Sequence, residues 1–523
     1  MSTSRKIISN SAYYAIGRIW MIGVNLVLTP LILSYLGTEQ FAVWALFWAF
    51  STYFIFMDMG LGVSLTRDVA MSSSELETVY VNEAFNTVLV FFCMLGAVCL
   101  LLAWVLTPWL LEVLHVSKDM SGTVLNMAHW GVLVFVLIGI VQTLTSFMYG
   151  FQRFDLVNKA TLIVSVPNVL GAYLVLQAGL GILGLLWLMV VVYALKVLLL
   201  AIWARRVFPE FEFGFHYVSW RHFRTMLPLG VRVQVSRFAD LASFQADKIL
   251  LALLVPVSFV TMYDLGAKVA MLIRDLPYAL TSPVFPAASE MHGRQDFEQL
   301  WLLYDRGSKY LLVATLPMLF GMWLTAPLVI GLWLGYVSPL VYQAVLLLSF
   351  AYWVIISVAM VFSVSTAIGW AKPIMQSALL QAFGNISLSF VLIMKFGFSG
   401  ALYGTVIAIT LANTILYFRF CRHFDRSVRN EWRRFWHVAR ANIAPVLCCL
   451  PYIGWVDTVL TEGDRLQSLM YLLGAVLIYV AAYAVSIRLL GLFDKTDERL
   501  LGGYFPAIRW FVAHGKPAGG GCA

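Results

Sequence analysis

Fourteen apolar stretches follow one another along the 523-residue chain, at 11–36, 41–66, 84–108, 124–150, 157–177, 181–203, 226–254, 258–287, 308–330, 341–368, 374–394, 398–419, 438–456 and 467–490. Each is near the roughly 20 residues that a bilayer core demands. Backbone polar groups in hydrocarbon must be satisfied within the spanning segment, so runs of this length fold as helices. The sequence therefore predicts an all-α, multi-pass membrane protein with fourteen transmembrane helices. A charged fraction of 12%, about half the roughly 25% of a soluble domain, agrees. The first stretch lacks a small-residue cleavage site and is expected to be a retained helix rather than a signal peptide.

The net charge of +8 invites a nucleic-acid partner until it is mapped. Of 35 Lys and Arg, 25 fall on the two termini and the even-numbered connections, or within three residues of them. The odd-numbered connections hold three (Lys118, Lys395 and Arg465), and the other seven lie inside spans. That asymmetry places both termini in the cytoplasm and makes the basic balance a matter of topology, with no nucleic acid expected. Phe418–Asn442 concentrates seven arginines among Trp, Phe and His, including Trp432-Arg-Arg-Phe-Trp-His437. It reads as a basic amphipathic helix lying on anionic inner-leaflet lipids, so membrane lipids are expected partners.

A shift of about 218 positions brings features of six consecutive spans into coincidence. Leu36 and Phe41 meet Leu254 and Phe259; Thr107-Pro108 meets Ala326-Pro327; Gly150 meets Gly369; Pro167-Asn168 lies opposite Gly384-Asn385; Gly181-x-x-Gly184 meets Gly397-x-x-Gly400. Six is even, so both copies enter from the same side. They are parallel repeats related by a pseudo-twofold axis along the membrane normal. The expected organisation is a first lobe over 1–203 (spans 1–6), a cytoplasmic interlobe connection over 204–225 and a second lobe over 226–420 (spans 7–12). A basic interfacial segment over 421–437, two appended helices over 438–491 and a cytoplasmic tail over 492–523 complete it.

Charges mark where such a protein would work. Spans 7 and 8, from Pro228 to Pro286, carry Arg232, Arg237, Asp240, Asp247, Lys248, Asp264, Lys268, Arg274 and Asp275. A charge at helix centre costs roughly 2.5–3.5 kcal/mol on insertion scales, so such residues face a partner or a wet cavity. The repeat pairs Arg18 with Arg237, 219 apart, and Asp58 with Asp275, 217 apart. Each lobe thus holds an Arg on its first helix and an Asp at similar depth on its second. Those pairs either fix a hairpin or present arginines to an anion. Asp240 and Asp247, seven apart, share one helix face, with Arg237 a turn from Asp240. Lys248, near the outer surface, either snorkels or lines the cavity. Lys268 either pairs with Asp264 or serves as a ligand. The candidate substrate-binding set is Arg18, Arg232, Arg237, Lys248, Lys268 and Arg274; the candidate coupling or ion-pair set is Asp58, Asp240, Asp247, Asp264 and Asp275.

Other motifs carry no chemistry. Gly179-Leu-Gly181-Ile-Leu-Gly184 fits GxGxxG, but no strand precedes it, and it reads as a tight turn between spans 5 and 6. The six cysteines and eight histidines show no metal spacing, and no Walker A sequence or nucleophile elbow occurs. Neither enzymatic chemistry nor a bound cofactor or metal is expected.

Leu36-Gly-Thr-Glu-Gln-Phe-Ala-Val-Trp-Ala-Leu46, followed by Asp58-Met-Gly-Leu-Gly62 and Arg67, resembles the opening of bacterial polysaccharide flippases. Thr107-Pro108 and Gly397-x-x-Gly400-Ala401 fit as well, over about 1–490; Ala42 and Met59 are mild departures. That family belongs to the multidrug/oligosaccharidyl-lipid/polysaccharide (MOP) exporter superfamily. The resemblance implies a MATE-like fold in a bacterial inner membrane. It also implies alternating-access translocation of an undecaprenyl-diphosphate-linked oligosaccharide repeat unit, for O-antigen, capsule or exopolysaccharide assembly. A polysaccharide polymerase and a chain-length regulator are implied partners, and H⁺ or Na⁺ is an open coupling ion. Arginines suit the diphosphate, while Trp20, Tyr53 and Tyr263 are either packing residues or stacking platforms for sugars. Two readings within the superfamily stand beside this one. A cation-coupled multidrug exporter should place a carboxylate in the first lobe's cavity, where the first span instead has Arg18. A lipid II flippase shares fourteen helices and cavity arginines, but the Asp58 signal favours the polysaccharide branch.

Overall fold

Apolar periodicity resolves into helix throughout. The computed structural model describes residues 3–56, 60–71, 78–113, 118–281, 284–459, 464–501 and 511, among which there is no strand. In chain order the helices are α1 (Thr3–Phe56), α2 (Leu61–Met71), α3 (Thr78–Val113), α4 (Lys118–Gly150), α5 (Phe154–Gln177), α6 (Gly181–Val207) and α7 (Trp220–Leu254). There follow α8 (Ser258–Ala270), α9 (Leu272–Thr281), α10 (Val284–Gly293), α11 (Phe297–Leu334), α12 (Pro339–Ser357) and α13 (Ala359–Ala367). The rest are α14 (Ala371–Phe396), α15 (Phe398–His423), α16 (Val428–Ala439), α17 (Ile443–Val459), α18 (Arg465–Leu489) and α19 (Lys495–Leu501).

Eleven helical stretches among the described residues are long and apolar enough to cross a membrane, where the sequence suggests fourteen. The difference has three sources. Gly37, at φ 70° and ψ 177°, kinks α1 without ending it, so the first span and the start of the second run as one element. Only a residue without a Cβ adopts that φ at little cost. The seventh span carries five charges along α7. The eighth is broken at Met271 into α8 and α9, with Pro277 inside the second piece. The tenth span is also two helices, α12 and α13, meeting at Val358; neither glycine nor proline stands there to explain the break. The chain is a multi-pass, all-helical membrane protein.

The internal repeat is visible in the helix boundaries. α3 and α11 begin at Thr78 and Phe297, α5 and α14 at Phe154 and Ala371, and α6 and α15 at Gly181 and Phe398, all within a position or two of the offset seen in the sequence. Core positions follow: Val81, Phe85 and Phe92 on α3 are buried, as are Leu300, Tyr304 and Leu311, their counterparts on α11. The turn glycines match too. Gly181 and Gly397 both sit at φ 56°, and a Cβ on Gly184 or on Gly400 would lie 2.5 Å or less from its neighbours. The GxGxxG segment is accordingly the turn joining α5 to α6.

Two compact units emerge, one of Met1–Asp264 with Phe390–Ala401, the other of Leu265–Ser389 with Leu402–Ala523. In the first, α2, α3 and α4 close on a core of Leu61, Leu65, Phe85, Phe92, Leu144 and Phe147. Phe211, from the segment after α6, joins it with ring centroids 4.7 Å from Phe85 and 4.9 Å from Phe147. That segment is fastened by two asparagines one turn apart on α3. Asn82 donates to the Glu210 carbonyl (2.8 Å) and accepts from the Glu212 amide (3.2 Å); Asn86 donates to the Glu212 carbonyl (2.9 Å) and accepts from the Gly214 amide (3.1 Å). The two side-chain amides stand in for a partner strand and satisfy an otherwise orphaned extended backbone. Beside them Glu83 pairs with His222 at 2.8 Å. Burial raises the Asp68 carboxyl above the ordinary carboxylate range, against the pull of the Tyr80 hydroxyl, His222 and Arg67.

In the second unit α11 is the spine, contacting α12, α16, α17 and α18. Ser377, Gln381, Asn385 and Ser389 recur at every fourth position along α14 and are all buried. Ser377 donates to the Ala412 carbonyl at 2.9 Å, and Asn413 donates to Gln381 at 3.1 Å. Polar interlocks of this kind hold helices together where lipid supplies no hydrophobic drive between them. The asparagine pair on α3 yields a direct prediction. Asn82→Ala with Asn86→Ala removes five hydrogen bonds to backbone, the fifth being from Asn86 to the Asn82 carbonyl, each worth about 0.5–1.5 kcal/mol. The double variant is expected to lower the melting temperature of the purified protein in detergent clearly, and each single variant by about half as much.

Candidate functional site

Helix α7 ends at Leu254, Val255–Val257 turns the chain, and α8 sets out from Ser258. The turn brings positions of α7 and α8 side by side. Lys248 Nζ lies 2.5 Å from Asp264 Oδ1, with side-chain exposures of 11% and 6%. Next to it the Tyr263 hydroxyl donates to Asp247 Oδ2 at 2.7 Å, and Asp247 is fully buried. The Thr261 hydroxyl donates to the Thr38 carbonyl at 2.6 Å, tying α8 to the limb of α1 that follows the Gly37 kink. Taking two charges out of water costs several kcal/mol per ion, recovered only when geometry is good and remaining lone pairs are satisfied. Lys248 therefore does not snorkel: its stem and ammonium are enclosed, and its charge is met by Asp264.

In the second unit, Arg274 Nε lies 3.0 Å from Asp275 Oδ1, and its guanidinium sits 5.5 Å from the centroid of the Tyr352 ring. Both charged side chains are a little under one-fifth exposed. Lys268 is half-buried on α8. Asp58 lies outside the described residues, as do the side chains of Arg18, Arg232, Arg237 and Asp240, whose backbones belong to α1 and α7. Six of the eleven sequence-predicted site residues thus have described side chains. The structure joins four of them in two pairs, gives Asp247 a tyrosine and sets Lys268 one turn along α8 from Asp264.

Two aromatic residues acquire definite contacts. Tyr263 is 1% exposed and held by Asp247, so its ring is a packing element rather than a platform for sugar. Trp20 Nε1 donates to Ser165 Oγ at 2.8 Å between α1 and α5. The side chain of Tyr53 lies outside the described part. Tyr352 is the partner that sequence reasoning did not single out; nothing local marks it, because it stands on α12, far along the chain from Arg274. Among the described residues no group of three or more His, Cys, Asp or Glu side chains is placed to hold a metal ion. Chemically, membrane-embedded carboxylates beside ammonium and guanidinium groups can bind an anionic head group, or exchange a proton or cation as a pair opens.

A family model described as "Polysaccharide biosynthesis protein" matches residues 7–292. No curated protein matches the chain in sequence. In fold the chain is similar to the lipid II flippase MurJ in an inward closed conformation, at 14% identity and a TM-score of 0.68, covering 92% of this chain and 99% of that one. It is also similar to an inward-facing MATE-family multidrug resistance transporter of the MOP superfamily, at 14% identity and a TM-score of 0.67, covering 79% and 98%. A third likeness is to the Vibrio cholerae MATE transporter VcmN, at 16% identity and a TM-score of 0.58, covering 81% and 97%. These likenesses establish a MATE/MurJ-like fold, in agreement with the MATE-like fold that the sequence resemblance implies.

The buried pair carries its own prediction. Lys248→Met leaves Asp264 charged in a low-dielectric site and is expected to destabilise the protein by about 3–5 kcal/mol. Lys248→Met with Asp264→Leu removes both charges and should recover most of that loss, read as melting temperature in detergent. Equal melting temperatures for the single and double variants would show that the pair is not a unit.

Proposed function

Starting from the premise that the chain belongs to the polysaccharide biosynthesis protein family, we propose that it is a lipid-linked oligosaccharide flippase. Its substrate would be an oligosaccharide repeat unit on undecaprenyl diphosphate, moved from the cytoplasmic to the outer leaflet of a bacterial inner membrane by alternating access. The family and the fold support a membrane flippase or transporter. The observation that carries the finer reading is the concentration of ionisable side chains in α7, α8 and α9, inside helices that would otherwise be apolar. A diphosphate needs cations to leave water, and a glycan needs a wet, polar path, whereas the lipid tail can stay in the bilayer. Arg18, Arg232, Arg237, Lys268 and Arg274 are the proposed head-group cations. Asp247 and Asp264, with Asp58, Asp240 and Asp275, are the proposed coupling carboxylates, for H⁺ or Na⁺.

The distribution of Lys and Arg supports cytoplasmic termini, which puts the polyprenyl substrate's loading side where repeat units are built. A polymerase and a chain-length regulator would then act on the product at the opposite face. Fold likeness to a lipid II flippase over 92% of the chain keeps the peptidoglycan precursor as the second reading. Both readings call for a polyprenyl diphosphate and differ in the glycan.

Deletion of the gene followed by mass spectrometry of extracted polyprenyl lipids separates them. A complete repeat unit accumulating on undecaprenyl diphosphate, with surface polysaccharide lost, is the expected result. Accumulation of lipid II would select the second reading. An unchanged lipid pool with altered sensitivity to cationic drugs would point to multidrug export instead. In the same strain, Arg237→Ala at wild-type protein level is expected to lower polysaccharide output at least tenfold, and normal output would remove Arg237 from the head-group set.

A further inference from the structure

Helix α16 shows two faces of opposite character. On the inner face Glu431 is 7% exposed and accepts from the Tyr417 hydroxyl and from Arg434 Nη1, both at 3.1 Å. Arg434 also reaches Asp305 on α11 at 2.7 Å. Arg426, just before the helix, pairs with the same Asp305 and lies over the rings of Trp301 and Tyr304, 5.3 and 5.1 Å from their centroids. Val438 completes this face in a core with Leu316 and Tyr479. The helix is thus clamped to α11 by ionic bonds as well as by packing.

At 3.6 residues per turn, Arg429, Arg433, Trp436 and Arg440 fall on the opposite face, with Trp432 at its edge. All five are exposed, Trp432 by 59% and Trp436 by 48%. Arg440 bonds to His437 at 2.8 Å. Arg429 and Arg433 have no carboxylate within ion-pair distance among the described residues. Inner-face arginines are therefore matched by acids, and these two outer-face arginines are left unmatched beside two indoles.

The chain context tells what covers this face. α16 follows α15 and runs through a single turn at Arg440–Asn442 into α17. α15 and the Val428–Val456 stretch, which joins α16 to α17, are both long and apolar enough to cross a membrane; α16 is the charged end of that second stretch, with Arg429, Arg433 and Arg434, and so lies at a membrane boundary. Tryptophan is favoured at head-group depth, where its ring is apolar and its N–H wet. Arginines four apart on a helix stand about 5–6 Å from each other, and guanidinium forks match phosphate oxygens two at a time. We propose that the Arg429–Arg433–Trp436 face binds anionic phospholipid of the leaflet on the basic side of the protein. Arg429 and Arg433 bracket a lipid phosphate, and Trp432 and Trp436 lie at the level of the head groups. The site is separate from the α7–α9 charges and independent of which substrate they serve.

The full-length protein in detergent, titrated with phosphatidylglycerol, cardiolipin or phosphatidylcholine and analysed by native mass spectrometry, tests this. Wild type should retain the two anionic lipids in preference to phosphatidylcholine. Arg429→Gln with Arg433→Gln should weaken retention of both anionic lipids about tenfold or more, at an unchanged melting temperature, since neither side chain pairs with an acid among the described residues. Arg205→Gln with Arg206→Gln, an exposed pair at the end of α6, should leave retention as in wild type. Unchanged retention in the α16 variant, or an equal loss in the α6 variant, would overturn the proposal. So would an RNA oligonucleotide that binds wild type and not the α16 variant while lipid retention stays constant.

Discussion

A charge inside a bilayer has to meet another charge, a hydrogen bond or water, and this requirement governs how α7, α8 and α9 are built. Insertion alone would expel nine ionisable residues from these helices. Among the described side chains, the Val255–Val257 turn lays Asp247 and Lys248 alongside Tyr263 and Asp264, so that these two find their partners one helix away. Arg274 finds Asp275 beside it and the face of Tyr352 beneath. A protein that keeps such groups at this cost gains paired charges that a polar group or a cation can compete for.

The duplicated architecture reuses one anchoring position. Asn86 and Asp305 stand at equivalent points of α3 and α11, related by the same shift as the starts of those helices, and both fasten the segment that follows the sixth helix of their own repeat. Asn86 binds the backbone of Glu212 and Gly214. Asp305 binds Arg426 and Arg434. The chemistry differs with the load. An amide matches an extended backbone that offers alternating donors and acceptors, whereas a carboxylate matches an arginine-rich segment that offers only donors. The shared position is a property of the fold, and the residue type at it follows from what comes next in the chain.

Much of this was legible from residue order alone, and the exceptions have a common cause. Spans, turns and the repeat depend on local pattern: Gly181 and Gly397 announce their turns, and Thr107-Pro108 and Ala326-Pro327 announce the repeat. The basic amphipathic character of α16 is visible in Trp432–His437. Contacts between distant residues are not written in any periodicity. Lys248 looked equally suited to snorkelling and to a cavity, and only the packing of α8 against α7 decides for Asp264. Tyr263 suited either packing or sugar stacking, and the hydrogen bond from its hydroxyl to Asp247 decides for packing. Asn82 and Asn86 gave no sign of their role, because their partners are backbone atoms beyond the end of α6, three helices further along the chain. The break at Val358 has no local signal at all.

Placed together, these features divide the charges of the molecule into two populations. Inside the membrane helices, Lys248 and Arg274 are each matched by a carboxylate at hydrogen-bond distance. At the end of the second unit, Asp305 serves α16 while the next residues of the same helix, Arg306, Lys309 and Tyr310, converge on the fully buried Asp497 of the tail helix α19. One turn and a half of α11 therefore holds the surface helix on one side and the tail on the other. The outward arginines of α16 escape this matching. Where α11 supplies or meets an acid at each of its described ionic contacts, the unmatched pair is what an external anion would find, and the bilayer beside it is the nearest source of one.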